Sequence, residues 1–288
     1  MTTEKLSIIV PMYNEERVLR TFFDRIRPVV ESLDLECELI FVDDGSTDGS
    51  VEIVREQHSK DSRIKLVSFS RNFGKENALT AGLDHATGDA VIPIDADLQD
   101  PPELIAEFVA KWREGYEVVY GVRSKRDQDS AAKRTSAKMF YTIFGRLVGF
   151  DMPANAGDFR LMDRRVVDAL GGLRERNRFM KGLFAWVGFR QIGVPYERPE
   201  RAAGATKFNY WRLWNFAIDG FTGFTTLPLR LAGYIGMLTA IAAVIYGVFL
   251  VMRTWIYGVD VAGYASLMVA VLFLGGLQLM VLGIIGEY

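Results

Sequence analysis

Two kinds of hydrophobic spacing divide the chain. From Leu6 to about Tyr120, short apolar, β-branched runs alternate with stretches whose apolar positions recur at helical spacing. The runs Leu6–Val10, Glu38–Val42, Ile64–Phe69, Ala90–Ile94 and Glu117–Tyr120 read as strands. Between them Glu15–Ser32, Thr47–His58, Lys75–His85 and Pro102–Trp112 read as helices, with Pro102 in a first turn where its missing N–H costs no bond. The alternation predicts a parallel sheet covered by helices, with polar motifs at the carboxyl ends of strands, where open α/β sheets bind ligands. There is no internal repeat and no low-complexity tract.

Beyond Leu231 the pattern changes. Up to Tyr288 the only formally charged residues are Arg253, Asp260 and Glu287. The apolar runs Leu231–Met252 and Ala265–Gly286 each match the roughly 20 residues needed to cross a hydrocarbon layer. Their link carries Arg253, Trp255, Tyr257, Asp260 and Tyr264, suited to a headgroup interface. This predicts a transmembrane hairpin; a pair of buried core helices is the alternative. Two stretches before it are amphipathic: one near Arg134 and Lys138 with Phe140, Ile143, Phe144 and Leu147 on one face, and Phe208–Phe224 with Trp211, Trp214, Ile218 and Phe221 on one side. Both suit helices lying in the membrane interface. The expected divisions are an α/β domain over 1–206, interfacial helices over 207–228 and two membrane helices over 229–288. The apolar run before Pro11 is too short for a secretory signal. Since a hairpin returns the chain to its starting side, a multi-pass membrane protein with both ends cytoplasmic is expected.

Composition removes other classes. The chain has 288 residues, 49% of them hydrophobic, and its 34 Lys and Arg nearly cancel 36 Asp and Glu. That balance argues against a nucleic-acid partner. One cysteine, Cys37, excludes a disulfide framework and a cysteine zinc cluster, and His58 and His85 alone exclude a His-rich metal site.

The first strand is followed by Pro11-Met12-Tyr13-Asn14-Glu15 rather than a dinucleotide-binding glycine pattern, and no P-loop is present. The second strand ends in Asp43-Asp44-Gly45-Ser46 and the fourth in Asp95-Ala96-Asp97-Leu98-Gln99-Asp100. Carboxylates at successive strand ends converge on one crevice, where their repulsion calls for a cation. Asp95 and Asp97, two apart, suit Mg²⁺ or Mn²⁺, with a substrate diphosphate supplying further oxygens. Either motif alone is equally a solvated turn or helix cap. Their order on successive strands is the stronger signal.

These motifs, together with Ser70-Arg71-Asn72-Phe73-Gly74-Lys75 and the Pro101-Pro102 that follows Asp100, resemble the GT-A, family 2 inverting glycosyltransferases. The two apolar C-terminal runs narrow the resemblance to polyprenyl-phosphate glycosyltransferases, similar to dolichol-phosphate mannose synthase and bacterial GtrB-type enzymes. The resemblance implies a Rossmann-like nucleotide-sugar domain in which Pro11, Tyr13, Glu15 and Asp43 or Asp44 surround the nucleoside. Asp95, Asp97 and Gln99 would serve the metal and diphosphate, with Ala96, Arg71, Asn72, Gly74 and Lys75 completing the donor site; an ordinary surface charge is the alternative for Lys75. Such proteins also usually carry a basic tail beyond the position of Tyr288.

The same resemblance gives Arg123 and Arg134 as contacts to the acceptor phosphate and Asp158, in Ala156-Gly157-Asp158-Phe159-Arg160-Leu161, as the catalytic base; a turn residue before a short strand is its alternative. A phosphate monoester is already largely dianionic at neutral pH, so proton removal is optional and cations at the acceptor entrance matter more. Lys138, Arg201 and Lys207 are further candidates, the last two beside a small-residue loop at Ala203–Thr206 suited to closing over substrate. The expected reaction is inverting transfer of a hexose, UDP-glucose being the leading donor, to polyprenyl (undecaprenyl) phosphate. GDP-mannose with a dolichyl-type phosphate, a UDP-pentose donor, and a non-enzymatic scaffold that binds nucleotide sugar are the alternatives. Homo-oligomer formation through Gly275-Gly276 and a flippase partner stay open.

Overall fold

The computed structural model describes residues 4–123, 156–173, 180–197, 226–257 and 263–287. The chain divides into two compact units, Met1–Asn209 and Tyr210–Tyr288.

The first unit holds β1 (Lys5–Met12), α1 (Glu16–Ser32), β2 (Glu36–Asp43), α2 (Ser50–Lys60), β3 (Ile64–Ser68), α3 (Lys75–His85), β4 (Ala90–Pro93), a 3-10 turn (Pro102–Leu104) leading into α4 (Ile105–Arg113), and β5 (Val118–Arg123). Then come β6 (Ala156–Asp163), α5 (Arg164–Gly171), α6 (Met180–Trp186) and β7 (Gln191–Tyr196). The strands form one sheet in the order β3-β2-β1-β4-β6-β5-β7. β1 and β2 read as continuous apolar runs because both faces are covered, and Leu6, Ile8, Ile9, Val10, Ile40 and Phe41 are wholly or nearly wholly buried. Helix α1 lays Leu19, Phe22, Phe23 and Ile26 on this sheet, with the Phe23 and Phe41 ring centroids 4.9 Å apart and the rings tilted by 34°.

The expected mixed fold of sheet and helices is present, but the sheet is not purely parallel. β6 runs antiparallel to both neighbours, β4 and β5. The chain moves outward from β1 to β2 to β3, then returns to place β4 on the other side of β1. The strand order therefore reverses beside β1, and such a switch point opens a crevice at the carboxyl edge. Being antiparallel, β6 brings its amino end to that same edge, beside the carboxyl ends of β4 and β5.

In the second unit, α7 (Leu227–Tyr257) has 31 residues and α8 (Tyr264–Glu287) has 24, and the two helices touch. At 1.5 Å per residue they extend about 46 Å and about 36 Å. Leu238, Phe249, Leu267 and Leu279 are among their exposed apolar side chains. Among the described residues no helix is long and apolar enough to cross a membrane. The expected interfacial helices around Arg134 and over 208–224 lie outside the described residues.

Candidate active site

Four loops that follow parallel strands meet the amino end of β6 at the carboxyl edge of the sheet. After β2 the chain reverses at Gly45, whose φ of +74° is open to glycine at little cost. A Cβ there would lie 2.5 Å from the Arg71 carbonyl carbon and 2.8 Å from the Asn72 nitrogen. The loops after β2 and β3 are thus in backbone contact. Asp44 fastens them: its carboxylate accepts from the amides of Phe73 (2.6 Å) and Gly74 (3.0 Å). Asp43 accepts from the Ser46 amide at 2.9 Å and the Ser68 hydroxyl at 2.8 Å. Both aspartates are nearly fully buried, so the side chains expected around the nucleoside are also what shapes its loops.

The loop after β1 is joined to the same frame. Asn14, at φ +56°, donates from its amide to Ser46 Oγ at 2.9 Å and accepts from the Thr47 amide at 2.8 Å. The Glu15 amide donates to Ser50 Oγ at 2.9 Å. Pro11, Tyr13 and Glu15 are half-buried, while Arg71 and Asn72 are exposed, with the Arg71 guanidinium over the Phe73 ring at 4.7 Å.

Gly74, at φ +96°, starts α3 and delivers Lys75 to the crevice. Its ammonium donates to Asp95 at 2.8 Å and to Asp158 at 2.9 Å. Lys75 is therefore no isolated surface charge, although 42% of its side chain is exposed. Desolvation alone would lower its pKa, yet the carboxylates of Asp158 and Asp95 outweigh that and raise it. The antiparallel pairing of β4 and β6 brings the two together: Asp95 follows the carboxyl end of β4, and Asp158 lies near the amino end of β6 at the same edge. Asp158 lies within β6 itself, not in a turn before it.

Downstream of Asp95, Ala96 is packed into the hydrophobic core, so its side chain is turned away from any donor and only its backbone can meet one. Asp97 accepts from the Gln99 amide at 3.1 Å across Leu98, itself at φ +59°. Asp95, Asp97 and Gln99 are all half-buried. Among the described residues no group of three or more His, Cys, Asp or Glu side chains could hold a metal on its own.

Arg160 was legible as a motif neighbour of Asp158, but its burial and the chain from Asp100 through Tyr196 to Arg123 were not. Arg160, 5% exposed, lies behind Asp158 with its guanidinium 4.0 Å from the Phe184 ring centroid and donates to the Gly157 carbonyl at 2.7 Å. Burial lowers its pKa to about 10 against the raising effect of Asp158 and Tyr120. Tyr196 donates to buried Asp100 and accepts from Arg123. The Asp-rich loop after β4 was visible in the sequence, but nothing local paired Asp100 with a residue almost a hundred positions away. Arg134, Lys138, Arg201 and Lys207 lie outside the described residues.

Comparison with known proteins adds the following. The profile described as Glycosyl transferase family 2 matches residues 7–171, and that described as GtrB C-terminal hairpin matches residues 227–288. An uncharacterized glycosyltransferase of Synechocystis sp. is 54% identical over 99% of this chain and 90% of its own length. A prophage bactoprenol glucosyl transferase homolog of Escherichia coli (strain K12) is 47% identical over 99% of this chain and 93% of its own. Among solved structures, a mannosyltransferase from Pyrobaculum calidifontis in complex with GDP-Man and Mn²⁺ superposes with a TM-score of 0.54 at 22% identity. It covers 90% of this chain and 84% of that one. At that identity the likeness speaks for the fold.

Proposed function

Because this chain belongs to glycosyl transferase family 2 and carries the C-terminal hairpin of the GtrB type, we propose that it transfers glucose from UDP-glucose to a polyprenyl phosphate at the cytoplasmic face of a membrane. The observation that carries this reading is the near-full-length similarity to a relative named as a bactoprenol glucosyl transferase homolog, which spans catalytic unit and hairpin together. The continuous apolar runs of α7 and α8 support the hairpin as the membrane anchor.

The site suits a divalent cation. Asp95 and Asp97 offer hard oxygen donors without His or Cys, the donor type that Mg²⁺ and Mn²⁺ take alongside substrate phosphate oxygens. When bound, Mg²⁺ or Mn²⁺ supplies charge neutralisation on the departing diphosphate. The chain's own residues do the rest. The frame built by Asp43, Asp44 and Gly45 holds the loops around the nucleoside. Lys75 offsets the repulsion between Asp95 and Asp158 and presents positive charge toward the diphosphate. Asp158, with Arg160 two residues along the same strand, orients the donor hydroxyls. The acceptor phosphate is an anion that needs little deprotonation, so Arg123 serves it by attraction rather than by acid–base exchange.

The test uses the purified full-length chain, a panel of UDP- and GDP-sugars, and a short polyprenyl phosphate. Labelled lipid is expected from UDP-glucose with Mg²⁺ or Mn²⁺, and Asp97→Asn should abolish it. Lipid glycosylation that survives exhaustive chelation would overturn the metal assignment, and transfer from another sugar alone would overturn the donor.

A further inference from the structure

We propose that Tyr196, anchored by Asp100, is the positioning residue that aims Arg123 at the acceptor phosphate. This rests on the functional reading above. Arg123 is the last residue of β5 and Tyr196 the last of β7, and the parallel register sets them side by side. The Arg123 Nε donates to the Tyr196 hydroxyl across a long 3.5 Å, and that hydroxyl in turn donates to Asp100 Oδ1. Asp100 closes the loop that begins at Asp95, so one short chain of hydrogen bonds runs from the Asp-rich loop to the arginine.

The ring of Tyr196 has little freedom. A Cβ on Gly121 would lie 2.7 Å from its Cε1, and the Phe159 ring meets it edge-on at 6.3 Å. On the far side of the guanidinium, a Cβ on Gly157 would lie 3.2 Å from Arg123 Nη2. Two bare glycines therefore leave space for the tyrosine ring and for the arginine fork. With Nε directed to Tyr196, the Nη edge lies beside Gly157, next to Asp158. A planar guanidinium held by one edge presents the other in a fixed plane, the geometry that bidentate phosphate recognition requires. Burial, which lowers the pKa of Arg123, is outweighed by Tyr196, Asp100 and Asp158, so the charge stays on the fork.

The experiment measures steady-state kinetics of the full-length protein with UDP-glucose and a short polyprenyl phosphate for wild type, Tyr196→Phe, Asp100→Asn, Arg123→Lys and the Tyr196→Phe/Arg123→Lys pair. Tyr196→Phe is expected to raise the acceptor KM about threefold, as for loss of one weak hydrogen bond, with the donor KM unchanged. Asp100→Asn should act in the same direction while keeping side-chain size, which guards against a folding defect in one variant. Once Arg123 is lysine, removing the Tyr196 hydroxyl should add nothing. Additive effects, or an equal rise in donor KM, would overturn the positioning role while the functional reading stands. A wild-type protein that charges no polyprenyl phosphate from any donor would overturn both.

Discussion

Single residues at the carboxyl edge carry geometry that their identities only partly announce. Gly45 illustrates this, since its motif reads as an ordinary turn while its missing side chain is what lets two loops touch. Gly45→Ala should cost roughly 1–3 kcal/mol through strain at positive φ, and more if the Arg71–Asn72 backbone cannot retreat. Lower thermal stability together with a higher donor KM is the expected outcome. Lys75 shows the converse. From sequence it was either a donor-site residue or a surface charge, and the structure ties it to Asp95 and Asp158. Lys75→Met should lower turnover about 100-fold, the scale for one preorganised electrostatic contact, with Lys75→Arg restoring part of it; full activity in the Met variant would remove Lys75 from the mechanism. Asp44 and Ala96 were legible as motif members, but their orientation was not. One fastens a neighbouring loop and the other faces the core, because burial is decided by what packs opposite.

At the scale of elements, apolar runs and turn residues located five strands and the helices between them to within a few residues. β6 and β7 escaped that reading for physical reasons. β6 carries Gly157, Asp158 and Arg160 among its apolar residues, and its buried arginine is tolerated through the Phe184 ring and the Gly157 carbonyl. β7 contains Gly193 and Pro195, which weaken a strand signal, yet β7 sits at the sheet's edge, where proline is admitted. The opposite end of the sheet holds another feature hidden from sequence. Buried Glu38 on β2 accepts from Ser7 Oγ (2.6 Å), Lys65 Nζ (2.6 Å) and the Thr87 amide (2.8 Å), joining β1, β2, β3 and the turn before β4. Burial would raise its pKa, but Lys65, Ser7 and Thr87 bring it down to about 2. A depressed carboxylate pKa adds stability above the unfolded value of about 4.3. That stability is lost as pH falls toward about 2. Unfolding temperature should therefore decline across that window in wild type and decline less in Glu38→Gln; parallel curves would show that Glu38 is not the linked group.

For the whole molecule, the catalytic unit and the hairpin are distinguished by composition alone, since charge nearly vanishes after Leu231. If α7 and α8 anchor the chain, the full-length protein should remain in the membrane pellet through an alkaline carbonate wash and leave it only with detergent. Release by carbonate would reduce the hairpin to a peripheral contact.

The sequence by itself determined the alternating sheet-and-helix pattern, the acidic loops and the apolar tail, because each is written in residues close along the chain, where periodicity and turn chemistry act. Tertiary structure alone decided that β6 runs antiparallel, that Lys75 joins Asp95 to Asp158, and that Asp100 reaches Arg123 through Tyr196. Those relations join segments up to about a hundred residues apart, and strand order and register, which no local pattern encodes, bring them together.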